Sequence, residues 1–230
     1  MICFLTSRID LPGTENMDPA NGLIEHLRAY YPEHCHAVYI CSDPDNFDKV
    51  DSYAVGTARI MENEGFFFET FDTLDNRNPE QAEELIRKAD LIILSGGHVP
   101  TQNRFFKKIG LREILNDYNG IVIGISAGSM NSADVVYSMP EIEGEAVDPD
   151  YRRFLVGLDL TKTMIIPHYY STMNDTLDGM RVFEDIAYLD SIGKIFIALP
   201  DGSYLFIKDD REQIMGDAFR IENGELTQIL

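Results

Sequence analysis

Short, wholly apolar runs alternate along the chain with stretches whose apolar residues recur at helical spacing. Ile2–Thr6, residues 37–41, residues 66–71, Leu91–Leu94 and Ile121–Ile125 predict strands. Leu91–Leu94 and Ile121–Ile125 carry no polar side chain among them, the pattern of strands covered on both faces. Residues 21–30, 47–64, 79–89 and 104–118 predict helices between those strands, and another helix begins just after Ile125. In the first helix Leu23, Ile24, Leu27 and Tyr30 share one face and Pro32 lies beyond its end; Gly65 closes the second. Alternation of this kind predicts an α/β fold, a three-layer, mostly parallel, doubly wound sheet with right-handed crossovers.

The rhythm breaks after residue 133. Residues 134–160 are acidic and irregular. Met164–Ile166 then predicts a strand, residues 177–191 a helix and residues 194–199 a strand. In the tail, residues 203–208, 213–215, 218–222 and 226–230 are short strand-like pieces separated by Asp209-Asp210, Gly216-Asp217 and Asn223-Gly224. Asn223-Gly224 is a two-residue hairpin signal, so the tail predicts antiparallel strands at the C-terminal edge of the sheet. No repeat, low-complexity tract or linker interrupts the chain, and a single domain over residues 1–230 is expected.

Composition narrows the function. Acidic residues outnumber basic ones by 39 to 19, a formal net charge of −20 over 230 residues. That field repels phosphate backbones and anionic lipid, so neither nucleic acid nor a membrane is an expected partner. The N-terminus has neither the charge nor the apolar core of a signal peptide, and no apolar run is long enough to span a bilayer. Cys3, Cys35 and Cys41 form no disulfide or metal spacing, which suits a reduced, cytoplasmic protein. His34-Cys35-His36 with Cys41 lacks a second ligand pair, and no H-E-x-x-H is present; no metal or other cofactor is expected.

The most specific local signal is Gly124-Ile125-Ser126-Ala127-Gly128, a G-x-S-x-G between a predicted strand and a predicted helix. A nucleophile on such a turn projects from the C-terminal edge of the sheet, where open α/β folds bind ligands. Small neighbours keep the strand and helix clear of it, and the Ala127 N–H points toward the same space. A serine nucleophile needs a base. His26 lies inside a helix, and His34 and His36 precede a strand, at the opposite edge. His98 and His168 each follow a strand; His168, in Ile165-Ile166-Pro167-His168, is the favoured general base. Ser95-Gly96-Gly97-His98 follows a buried strand, and the N–H of Gly97 or His98 can complete an oxyanion site. An acid must orient the histidine. Glu141 is the first candidate, then Asp134, with Glu143 and Glu145 also between serine and histidine.

Together, Ser95-Gly96-Gly97, Gly124-Ile125-Ser126-Ala127-Gly128-Ser129 and Ile166-Pro167-His168 resemble the peptidase E (aspartyl dipeptidase) and cyanophycinase family of serine peptidases. The resemblance runs from the first strand to about residue 200. It implies a fold related to the class I glutamine amidotransferases and a Ser-His-Asp/Glu triad in which Ser126 and His168 carry over and the acid falls on Glu141. Serine in place of cysteine at the turn argues against glutaminase chemistry. The implied substrate is a small peptide with an acidic N-terminal residue or an aspartate-containing amide, cleaved through an acyl-enzyme. Such a substrate needs a basic partner, for which Arg104, Lys107, Arg152 and Arg153 are candidates. Where the family often has asparagine after the paired glycines, this chain has His98. The competing expectation is a non-catalytic module of the same fold that binds a small molecule or a protein.

Overall fold

A computed structural model describes all residues, Met1–Leu230. The first half winds as β1 (Ile2–Thr6), α1 (Leu23–Arg28), β2 (Cys35–Ile40), α2 (Phe47–Asn63), β3 (Phe68–Leu74), α3 (Ala82–Lys88), β4 (Leu91–Leu94), α4 (Val99–Lys108), α5 (Leu111–Leu115), β5 (Ile121–Ile125) and α6 (Ala127–Asn131). Then come β6 (Val135–Tyr137), β7 (Phe154–Val156), β8 (Met164–Ile166), α7 (Tyr169–Thr172), β9 (Thr176–Leu177) and β10 (Met180–Arg181). A π-helical turn (Val182–Ala187) leads to α8 (Tyr188–Asp190), β11 (Ile195–Ala198), β12 (Tyr204–Lys208), β13 (Arg211–Met215), β14 (Phe219–Glu222) and β15 (Glu225–Gln228).

The central sheet has seven strands in the order β13-β12-β1-β5-β4-β2-β3. The five strands from β1 to β3 are parallel, and β12 and β13 add antiparallel to β1. All four residues of β4 are fully buried, which is why an unbroken Leu-Ile-Ile-Leu run sits in the middle. The two edge strands, Phe-Glu-Thr-Phe-Asp-Thr-Leu and Arg-Glu-Gln-Ile-Met, are the polar ones, which discourages edge pairing. The α/β class, with a mostly parallel sheet flanked by helices and antiparallel strands at its C-terminal edge, is as expected.

Three details depart from the sequence reading. First, β8 and β11 do not extend the central sheet. They pair parallel to each other in a second sheet, β15-β14-β11-β8, with its own core around Tyr137, Phe183 and Phe196. Second, residues 104–118 form two helices, because the chain takes φ +64° at Gly110. Third, residues 177–191 are not one helix: β9 and β10 pair across Asp178-Gly179, both at positive φ, before the π-helical turn begins. No helix is long and apolar enough to cross a membrane.

Candidate active site

The turn after β5 is tightly built. Ser126 adopts φ 49°, ψ −108°, a conformation that costs a non-glycine residue ~1–3 kcal/mol. Three hydrogen bonds to the end of β1 oppose that cost at about 1 kcal/mol each. Ser126 N–H donates to the Thr6 carbonyl (3.0 Å), Ser129 Oγ donates to the same carbonyl (2.7 Å), and Thr6 Oγ1 donates to the Gly124 carbonyl (2.8 Å). Gly128 allows the helix to touch β4: a Cβ there would stand 2.2 Å from the Leu94 carbonyl oxygen. Gly96 lies against the Ser126 Cβ. The N–H groups of Ala127 and Gly97 have no partner within the protein, so both are free to bind an oxyanion. Gly97 sits at φ +141°, and a Cβ there would collide with Ser42 Oγ at 2.2 Å.

His168 follows β8 in the left-handed region, φ 60°, ψ 29°, with its backbone N–H donating to Ser7 Oγ (2.8 Å). Its Nδ1 is 2.6 Å from Asp201 Oδ1, and Ser7 Oγ donates to the same oxygen at 2.8 Å. Asp201 follows β11, the parallel neighbour of β8, so the two residues leave the second sheet at the same end. Burial raises the Asp201 pKa, but the hydrogen bonds from His168 and Ser7, with the charges of His168 and Arg8, outweigh it and leave it below the usual value. An ionised Asp201 fixes the proton on Nδ1 and leaves the Nε2 lone pair for chemistry.

Ser126 and His168 together line two cavities, although no hydrogen bond joins their side chains; such contacts often tighten only around substrate. The first cavity, about 310 Å³, lies among Met130, Met139, Glu141, Asp175, Leu177 and Val182. The second, about 480 Å³, is bounded by Arg8, Asp10, Lys49, Tyr53, Gly96 and Gly97. A third cavity, about 530 Å³, opens at the other end of β1 and β5 beside Tyr30, Asp117 and Tyr118 and gathers no serine, cysteine or histidine.

None of the four candidate acids, Glu141, Asp134, Glu143 and Glu145, hydrogen-bonds or ion-pairs with the His168 ring, whose carboxylate partner is Asp201. Glu141 lines the first cavity and is exposed by surface area; the protein packed around its carboxylate, then the charge of Glu145, pushes its pKa up to about 7. Asp134 pairs with Arg112 and Lys162, whose hydrogen bonds hold its carboxyl below the usual range. Glu143 is exposed, and Glu145 accepts from His98 Nε2 at 2.8 Å. The His98 ring is therefore tied to Glu145 and Thr101 and lines neither cavity with Ser126. His26 packs among Phe4, Tyr30 and Phe206, while His34 and His36 sit beside Glu69.

The four basic candidates lie elsewhere too. Arg104 donates to Thr101, Lys107 lines a different cavity, Arg152 is exposed, and Arg153 donates to the Ala146 carbonyl. Sequence reasoning missed Ser7, Arg8 and Asp201. For Asp201 a signal was present: Pro200-Asp201-Gly202 ends an apolar strand just as Pro167-His168 does.

The model of peptidase family S51 matches residues 4–215 of the chain. Among solved structures, a peptidase from an acI-B1 Actinobacterium superposes with a TM-score of 0.63 at 16% identity, over 99% of this chain and 93% of that one. A candidate peptidase E protein from Listeria monocytogenes EGD-e superposes with a TM-score of 0.63 at 15% identity, over 93% of this chain and 96% of that one. At these identities the likeness is one of fold. No curated protein matches the chain significantly.

Proposed function

The chain belongs to peptidase family S51, a membership that supports a serine peptidase, and on that premise we propose that it cleaves short peptides through Ser126, His168 and Asp201. The observation that carries this reading is the 2.6 Å contact between Asp201 and His168 Nδ1, beside a serine on a strained strand-to-helix turn. In the proposed reaction Ser126 Oγ attacks the scissile carbonyl and His168 Nε2 takes its proton. Asp201 stabilises the resulting imidazolium. The Ala127 and Gly97 N–H groups receive the negative charge on the carbonyl oxygen. Collapse of the tetrahedral intermediate breaks the C–N bond, and His168 returns the proton to the departing amine. Water, deprotonated by the same imidazole, then hydrolyses the acyl-enzyme and regenerates Ser126.

This assigns the third member to Asp201 in place of Glu141, which makes no hydrogen bond or ion pair with His168. Residues 1–230 act as one unit in this reading, since the end of β1 contributes Thr6 and the following Ser7, the turn after β5 the serine, and the segments after β8 and β11 the histidine and aspartate. The test is a double-mutant comparison. Ser126→Ala and His168→Ala should each remove nearly all peptide hydrolysis, and the double variant should be little worse than either, because the members act as a unit. Activity retained in Ser126→Ala would overturn the assignment.

A further inference from the structure

The walls of the first cavity bear on what the peptidase accepts. Met130, Met139, Leu177 and Val182 give it apolar sides, and no lysine or arginine reaches it. Besides His168, its only ionisable side chains are Glu141 and Asp175. Neighbouring acids are already engaged. Glu145 Oε1 accepts from His98, and its Oε2 accepts from the Glu141 and Ile142 N–H groups. Asp178 spends both oxygens on the N–H groups of Gly144 and Ala146, tying the segment that carries Glu141 to the β9–β10 turn. Neither Glu141 nor Asp175, by contrast, has a cation or a hydrogen-bond donor on its carboxylate within the protein. Both are exposed residues that line the cleft holding the reactive serine.

We propose that this cavity takes a basic side chain of the substrate residue beside the scissile bond, with Glu141 and Asp175 as the residues that select it. This inference rests on the serine-peptidase reading above. A lysine-like side chain matches the lining at both ends: its aliphatic stem packs along Met130, Met139 and Leu177, and its charged head meets the two carboxylates. An acidic side chain would enter between two unpaired carboxylates and be repelled. The second cavity offers it little compensation, because Arg8 is held bidentately by Asp10 (2.9 and 2.7 Å) and Lys49 lies 3.4 Å from Asp43. The raised Glu141 pKa points the same way, since its carboxylate has no counter-ion and an incoming cation would favour its charged form.

Lysinamide and norleucinamide differ essentially by the side-chain charge, so their binding to the native protein by calorimetry reads the cavity directly. Aspartic acid α-amide serves as the acidic comparison. Lysinamide should bind about ten-fold more tightly than norleucinamide and tighter still than the aspartyl ligand. Glu141→Gln and Asp175→Asn should each reduce the lysine preference about three-fold or more, and the double variant should abolish it. Thermal unfolding of the variants checks that they remain folded. The proposal is overturned if lysinamide does not bind, if the aspartyl ligand binds as well, or if the preference survives in the double variant. Covalent labelling of Ser126 is a separate readout. A protein labelled at Ser126 without lysine preference refutes the cavity assignment alone; one that prefers lysinamide but resists labelling refutes the peptidase reading alone.

Discussion

Replacing Asp201 with asparagine separates the charge behind His168 from the geometry that holds it. Oδ1 accepts from both His168 Nδ1 and Ser7 Oγ. An amide oxygen can accept both bonds in the same place, so the ring stays where it is. What disappears is the negative charge facing the imidazolium formed when His168 takes the serine proton. At a charge separation of about 4 Å and an effective dielectric of about 20, that attraction is ~4 kcal/mol. With ~1.4 kcal/mol per decade, kcat should fall roughly 10³-fold. KM should change little, because Asp201 lines neither cavity. Asp201→Ala also removes the acceptor that fixes the ring's tautomer, and its kcat should fall at least as far as that of Asp201→Asn. The assay is steady-state peptide hydrolysis by wild type, both Asp201 variants and Glu141→Gln. A variant Asp201→Asn that kept more than about a tenth of wild-type kcat would refute the assignment of the acid. Stability should follow with a definite sign. The folded pKa of Asp201 lies below its ordinary value, so its contribution is complete above the unfolded carboxylate pKa and is lost as pH falls through the lowered one. The stability gap between wild type and Asp201→Asn should therefore narrow in acid.

Two further outcomes concern the scaffold and the cleft. Gly128→Ala places a Cβ 2.2 Å from the Leu94 carbonyl oxygen, and should cost ~1–3 kcal/mol or more in urea unfolding; an unchanged midpoint would contradict the close approach of α6 to β4. With its pKa raised from 4.5 to about 7, Glu141 keeps a proton in the folded state that the unfolded chain has lost, so across that interval it lowers stability as pH rises. Glu141→Gln should flatten that fall in urea midpoints, and an unaltered pH slope would count against a desolvated Glu141.

How far the sequence carried depends on how local each signal was. The five parallel strands and the serine turn were legible because β4 and β5 are unbroken apolar runs and because G-x-S-x-G needs only its own strand and helix. Sheet membership is not a local property. Met164–Ile166 and Ile195–Ala198 read as strands, but nothing in three or four apolar residues says which sheet they join, so the second sheet was invisible. Asp178-Gly179 carried a hairpin signal that the helical spacing of the surrounding apolar residues masked. Chain order points to an acid between serine and histidine, where Glu141 lies. Parallel pairing of β8 with β11 instead sends Pro167-His168 and Pro200-Asp201 out at one edge, a juxtaposition that follows from topology and not from spacing.

The central claim is that the turn after β5 presents an activated serine, and an active-site-directed fluorophosphonate tests it most directly. Peptide mapping of the labelled native protein should find the adduct on Ser126, and labelling should vanish in Ser126→Ala, in His168→Ala and after denaturation, since the reagent requires the assembled site. A native, folded protein that resists the reagent, or is labelled on another residue while Ser126 stays free, would contradict the account.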